Sequence, residues 1–170
     1  MKLEKSALIK IFFVVIIIVC CCFFITKKYV IKTDPEPQVI SEKTEEVTKS
    51  EMLQNVEEIE NSDIAITTIK NDDLNIANDD HVIILKQVEF QLEDLTMQVG
   101  AYFDVNTETK FVDKTLFAWS GPTENNTDYT LFHLTDLVSE YPTTDVTIRA
   151  RGTYHNYVGN FDLYFSSNQG

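Results

Sequence analysis

From His81 onward apolar residues recur at every second position, and that period commits this part of the chain to β-structure. Ile84, Val88, Phe90 and Leu92 fall on one side, opposite Gln87, Glu89 and Gln91. Leu95, Met97, Val99, Ala101 and Phe103 then alternate with Thr96, Gln98, Gly100 and Tyr102. Successive side chains of a strand point to opposite faces, so this pattern predicts strands with one face in a core and one in water. Further strands are expected at 111–119, 128–134, 145–151 and 154–165, although 131–138 also admits a helical turn. Turn residues separate them: Asn106, Ser120-Gly121-Pro122 with Glu124-Asn125-Asn126, Tyr141-Pro142 and Arg151-Gly152. Six or seven short strands at this spacing predict an all-β fold, a sandwich or small barrel of Ig-like or jelly-roll-like kind. About 90 residues suffice for one independent core, so the β-domain is placed at 81–170.

The preceding segment, 33–80, has a different composition. It contains no Phe, Tyr or Trp and holds 14 Asp and Glu against 3 Lys, whereas 81–170 carries 14 of the 19 aromatic residues. It opens with Asp34-Pro35-Glu36-Pro37, which disfavours a helix start. The Glu-rich run from Ser41 to Glu60 carries Val47, Met52, Leu53, Val56 and Ile59. A short helix fits this run, and Glu45 and Lys49 have ion-pair spacing, but the apolar positions keep no heptad register for a coiled-coil stalk. Without aromatics and at this charge, the expectation is an acidic, solvated spacer. Its end alternates as a strand does and is read as a first strand at 63–70.

Residues 1–32 are read as a short tail and a membrane anchor. The run Ile11 to Ile25 is uninterruptedly apolar, and with Ala7, Leu8 and Ile9 it reaches the roughly 20 residues that cross a bilayer as a helix. The span is placed at about 9–26, where Lys10 reaches toward the headgroups. A cleavable signal needs a small-residue exit, but this run leaves through Phe23-Phe24-Ile25 into Lys27-Lys28. A lipoprotein needs a small residue before its cysteine, which Ile18-Val19 does not supply. Lysines number three on each side (Lys2, Lys5 and Lys10; Lys27, Lys28 and Lys32), so charge alone does not set orientation. The short tail and acidic remainder favour the β-domain on the non-cytosolic side. All three cysteines, Cys20, Cys21 and Cys22, lie in this run, leaving none for disulfides or thiolate metal sites downstream. They serve as soft apolar residues or, in the opposite orientation, as S-acylation sites.

The residues offer little for catalysis. His81, His133 and His155 show no ligand-pair spacing and are read as structural. Residues 72–77 lack the glycine and ligand positions of a calcium loop. Ser120 is not in a nucleophile elbow, and five scattered glycines make no phosphate loop. The expectation is therefore no enzyme, no cofactor and no metal. The formal charge of −13 disfavours nucleic acid as a partner. Arg149 and Arg151, the only arginines, share one side of a strand as a candidate partner contact. Asn125-Asn126-Thr127 is an N-glycosylation acceptor in a secretory lumen, with Asn125 the modified residue.

Phe117-Ala118-Trp119, then Asn125-Asn126-Thr127, then the alternating run from Tyr129 to Leu134, is similar to a strand, turn and strand of the major envelope proteins of the shrimp white spot virus. The N-terminal anchor and cysteine-free β-domain resemble them in layout. The likeness covers about twenty residues, and Ser120-Gly121-Pro122-Thr123-Glu124 departs from it by separating the Trp from the Asn pair. It implies a virion surface protein acting by assembly or attachment. Bacterial cell-surface or lipid-anchored Ig-like binding modules share this layout and remain the alternative. Either way the expectation is a membrane-anchored structural or binding protein, with a protein partner or self-assembly acting through Arg149, Arg151 and the 120–128 loop.

Overall fold

The period-two pattern is realised as antiparallel strands in a computed structural model that describes residues 36–64, 66–72, 74, 80–124, 129–155 and 157–168. In chain order the elements are β1 (Gln38–Val47), α1 (Lys49–Glu60), β2 (Thr67–Lys70), β3 (His81–Leu92), β4 (Leu95–Asn106), β5 (Val112–Pro122), β6 (Tyr129–Asp136), β7 (Asp145–Tyr154) and β8 (Tyr157–Ser166). They form a five-stranded sheet, β1-β3-β4-β5-β2, and a three-stranded sheet, β6-β7-β8. The all-β expectation holds as two packed antiparallel sheets. Residues 131–138 resolve as the second half of β6 and its exit, not as a helical turn. The expected span at 9–26, with Cys20, Cys21 and Cys22, lies outside the described residues. Among the described residues no helix is long and apolar enough to cross a membrane.

Between the sheets lies the larger core. Leu95, Met97, Val99, Ala101 and Phe103, the alternating residues of β4, are all buried in it with Val88, Phe90 and Leu92 of β3. From the other sheet come Val146, Ile148, Ala150, Phe161, Leu163 and Phe165. Phe103 stacks on Phe165 at 4.7 Å, and Phe90 meets Phe161 edge-on at 5.6 Å. Such aromatic contacts add about 1 kcal/mol beyond the burial itself.

The described part of 33–80 is not a spacer set off by a boundary near His81: residues 38–60 and 67–70 belong to the same compact unit as the strands that follow. Its first part is β1, paired along its length with β3 from Gln38↔Gln91 to Val47↔Ile83. Its Glu-rich run becomes α1, started by a capping box: Thr48 Oγ1 accepts from the Glu51 amide at 3.2 Å, and Glu51 Oε2 accepts from the Thr48 amide at 2.8 Å. Met52 and Val56, one turn apart, are 0% and 3% exposed. They pack with Ile83, Leu85, Tyr102, Leu116, Phe117 and Trp119 in a second core on the outer face of the five-stranded sheet. The segment lacks aromatics because β4 and β5 supply them. Only Thr67–Lys70 of the strand expected at 63–70 forms; it pairs with β5.

The same outer face explains Gly100. It lies opposite Trp119, and a Cβ there would stand 2.1 Å from the indole ring. Glycine lets the indole lie flat across the strand, 5.5 Å from the Tyr102 ring.

This reading predicts that Met52→Ala lowers unfolding free energy by about 3 kcal/mol, through lost burial and a cavity under α1. Leu53→Ala, on the exposed side of the same helix, stays within about 0.5 kcal/mol. Chemical denaturation of the two variants checks this; equal, negligible effects would return the segment to a spacer.

Candidate binding face on the three-stranded sheet

The inner face of β7 carries Val146, Ile148 and Ala150, so its period sends Thr147, Arg149 and Arg151 outward. β8 repeats the pattern, burying Phe161, Leu163 and Phe165 and exposing Val158, Asn160, Asp162 and Tyr164. Register places Arg149 opposite Asp162, and Arg151 between His133 of β6 and Asn160 of β8. The two arginines therefore share a face, as their spacing predicts.

Arg149 is held by its cross-strand neighbour. Its Nε donates to Asp162 Oδ1 at 2.9 Å and its Nη2 to Asp162 Oδ2 at 2.6 Å. The Asp162 hydrogen bond and charge push the guanidinium further above its ordinary range. This fork geometry fixes the long side chain in one orientation and keeps its remaining N–H groups available to an acceptor. Beside it, the Tyr164 hydroxyl donates to Asp145 Oδ1. That bond, followed by those from Thr144 and Ser166, lowers the Asp145 carboxyl, while Asp145 raises the Tyr164 phenol.

A loop at 137–144 walls one end of this face. Asp136 fixes its start: Oδ1 accepts from the Val138 amide at 2.9 Å, and Oδ2 from Thr115 Oγ1 at 2.8 Å and the Tyr141 hydroxyl at 2.6 Å. Burial, then the Asp136 bond, pushes the Tyr141 phenol far above its ordinary value. Thr143 and Val112 exchange backbone hydrogen bonds of 2.7 and 3.0 Å, which ties the loop to β5 of the other sheet. The result is an open depression of about 550 Å³ between this loop and the sheet, bordered by Leu137, Arg149, Asp162 and Tyr164. Leu137 and Tyr164 are 45% and 50% exposed. Tyr and Arg on a braced face are residue types that anchor protein contacts, and the exposed Leu137 adds apolar surface beside them.

A second groove, of about 370 Å³, runs beside α1 over Ile59, Leu85 and the edges of Tyr102 and Trp119. Its polar side chains are largely engaged with one another: Asn55 donates to the Tyr102 hydroxyl at 3.1 Å and Gln87 to Gln98 at 3.3 Å. It reads as the seam where α1 meets the sheet.

The remaining sequence candidates distribute as follows. Asn125 lies outside the described residues. Ser120, Gly121 and Pro122 are buried in β5, so the expected 120–128 loop begins only at Thr123. His81 is enclosed, bonded to Asp104; His133 and His155 are exposed. One juxtaposition was missed: Glu93 and Asp94 at the β3–β4 turn meet His155 at the β7–β8 turn, with ligand-type atoms within 4.8 Å of one another. Sixty residues of sequence separate the two turns, so no spacing rule could pair them. Asp94 is already engaged there by the Tyr154 hydroxyl, which lowers its carboxyl.

Asp145 provides a test of the bracing. A lowered carboxyl contributes stability above its ordinary value of 3.8, and loses it as pH falls through the folded value. Tyr164→Phe removes the largest cause, so it is expected to melt lower than wild type near neutral pH, with the difference closing in acid below about 3.8. Thermal melts across that range check the sign.

No family model, curated protein or solved structure matches the chain.

Proposed function

We propose that this chain is a single-pass membrane protein, anchored through residues 9–26, that displays the β-sandwich for binding or assembly, not catalysis. Its setting in this reading is a virion envelope, with the sandwich on the exterior, non-cytosolic side. The apolar run from Ile11 to Ile25 supports the anchor, and the resemblance of the short motif at 117–134 to white spot virus envelope proteins supports the setting. The observation that carries the binding role is the outward face of the three-stranded sheet. There Arg149, oriented by Asp162, stands beside the exposed Tyr164 and Leu137 on a braced surface. Arg149, matched by Asp162 and flanked by Asp145 and Glu140, gives this face a fixed pattern of both charge signs for a partner protein or a second copy to complement, with Arg151 farther along the same side of β7.

Two measurements test the parts separately. Membranes carrying the full chain are washed with alkaline carbonate and then with detergent. The anchor predicts release by detergent alone, and release by carbonate sinks it. A photoreactive residue at position 164, in those membranes, is expected to give one discrete crosslinked protein species. Arg149→Glu should reduce its yield about tenfold, as expected for loss of a hot-spot contact. The same probe at Glu57, on the exposed side of α1, should give none; equal labelling from both positions would refute the binding face.

A further inference from the structure

His81 is the one enclosed histidine of three, its side chain 6% exposed, at the end of the five-stranded sheet. Nδ1 lies 2.7 Å from Oδ1 of Asp104, itself 2% exposed. On the other side of the ring, Nε2 lies 3.2 Å from Asn106 Nδ2. The Asn106 amide cannot be turned around, because its Oδ1 accepts from the Glu108 and Thr109 amides at 3.0 and 2.8 Å. Its nitrogen therefore faces His81, and also Asp80 Oδ2 at 3.3 Å. An amide nitrogen only donates. The arrangement therefore fits a neutral imidazole, with the proton on Nδ1 toward Asp104 and a lone pair on Nε2 toward Asn106.

The surroundings also favour a second proton. The Asp104 hydrogen bond raises the affinity of His81 for protons above its ordinary value of 6.5, and the charges of Asp104, Asp113 and Asp80 add to this against the cost of burial. Glu46, Lys49 and Glu51, from the β1–α1 junction, border a groove on the remaining side. A proton on Nε2 would point at the Asn106 N–H and needs another acceptor. Two stand ready: Asp113 Oδ2 at 3.6 Å, on the irregular stretch of β5 where the register with β4 shifts, and Asp80 Oδ1 at 3.9 Å. Asp80 Oδ1 is buried and has no hydrogen-bond partner among the described residues.

We propose that His81 is a two-position proton latch on the β4–β5 turn: neutral, it accepts from Asn106; protonated from solvent, it turns its Nε2–H to Asp80 or Asp113 and releases Asn106. Asn106 is the residue that closes this turn. Besides the two amides on its side chain, its backbone accepts from Lys110 at 2.9 Å and donates to Phe111 at 2.9 Å. The turn is tied in addition to Asp80, whose carbonyl accepts from the Thr107 amide at 2.7 Å and hydroxyl at 2.8 Å. One proton thus shifts the balance between two sets of bonds at the junction of β3, β4 and β5. Because the folded affinity is raised, the charged state contributes stability fully below about 6.5 and loses it as pH rises through the folded value. Acidification therefore tightens the ring against the carboxylates while loosening the turn.

Imidazole nitrogen NMR on the full chain in non-ionic detergent tests the latch, with the Glu108 and Thr109 amides followed through the same pH series. The expected result is the Nδ1–H tautomer at high pH, a midpoint above 6.5, and both amides moving along the His81 titration curve. An Nε2–H tautomer at high pH, or amides that ignore that curve, overturns it. These readings use the wild-type protein and so do not depend on a variant folding. Asp80→Asn and Asp113→Asn are expected to lower the midpoint; a midpoint unchanged in both removes the second position and with it the latch.

Discussion

The five-stranded sheet is apolar on both faces, and the rest of the structure follows from that constraint. β4 shows it most clearly: from Val99 to Val105 every residue is buried, whichever way it points. A strand of this kind cannot sit in a two-layer sandwich with one wet side, because Tyr102, Phe117 and Trp119 would be left in water at a cost of about 2 kcal/mol each. The three-stranded sheet covers one face and α1 the other. Helix α1 is a poor helix in isolation: at twelve residues it is near the length at which helices are marginal in water. Its capping box and the burial of Met52 and Val56 make it viable. Helix and sheet therefore need each other.

How much of this was legible in the sequence depended on where each residue's partner lay. β3, β7 and β8 were readable because their apolar residues alternate with a polar face; β4 was readable as a strand, but its second face, expected in water, is buried from Gly100 to Asp104. β1 was not readable. Seven of its first residues, Gln38 to Thr44, are exposed, so no burial pattern exists to be read; the strand is held by backbone pairing with β3. Its Glu and Lys residues, which suggested a solvated spacer, are what keeps an edge strand from pairing with another chain. The start of α1 could have been read: Thr48 followed by Glu51 is a capping-box signature, and Met52, Val56 and Ile59 recur at helical spacing. What the composition argument missed is that a segment poor in aromatics can borrow them from strands elsewhere in the chain. At the candidate face the split is similar. The shared side of Arg149 and Arg151 follows from period two, but the pairing of Arg149 with Asp162 needs the β7–β8 register, and the depression needs the loop at 137–144.

Polar residues are placed where the apolar layers end. Lys86, 8% exposed in a core strand, donates to Thr44 Oγ1 at 3.0 Å and to Glu42, both on β1. Thr115 joins the five-stranded sheet to Asp136 at the end of β6 and to Tyr141 of the loop that follows it. Asp104 meets His81 at the far end of the sheet. A buried charge left unpaired costs several kcal/mol and a buried hydroxyl about 1–3 kcal/mol, so each of these groups favours one placement of its partner. A one-residue slip would turn each alternating core face to solvent and break these pairs as well, so both act on the same register.

The fold of 38–70 also changes what the proposed anchor does. If 33–80 were a solvated spacer, the sandwich would be free to stand far from the bilayer. With β1 starting at Gln38, only twelve residues separate it from Ile25. At the maximal rise of an extended chain these reach about 40 Å, and a relaxed chain less. The residues that a spacer would leave to solvent form β1 and α1 instead, which extend the five-stranded sheet at its edge and cover its outer face.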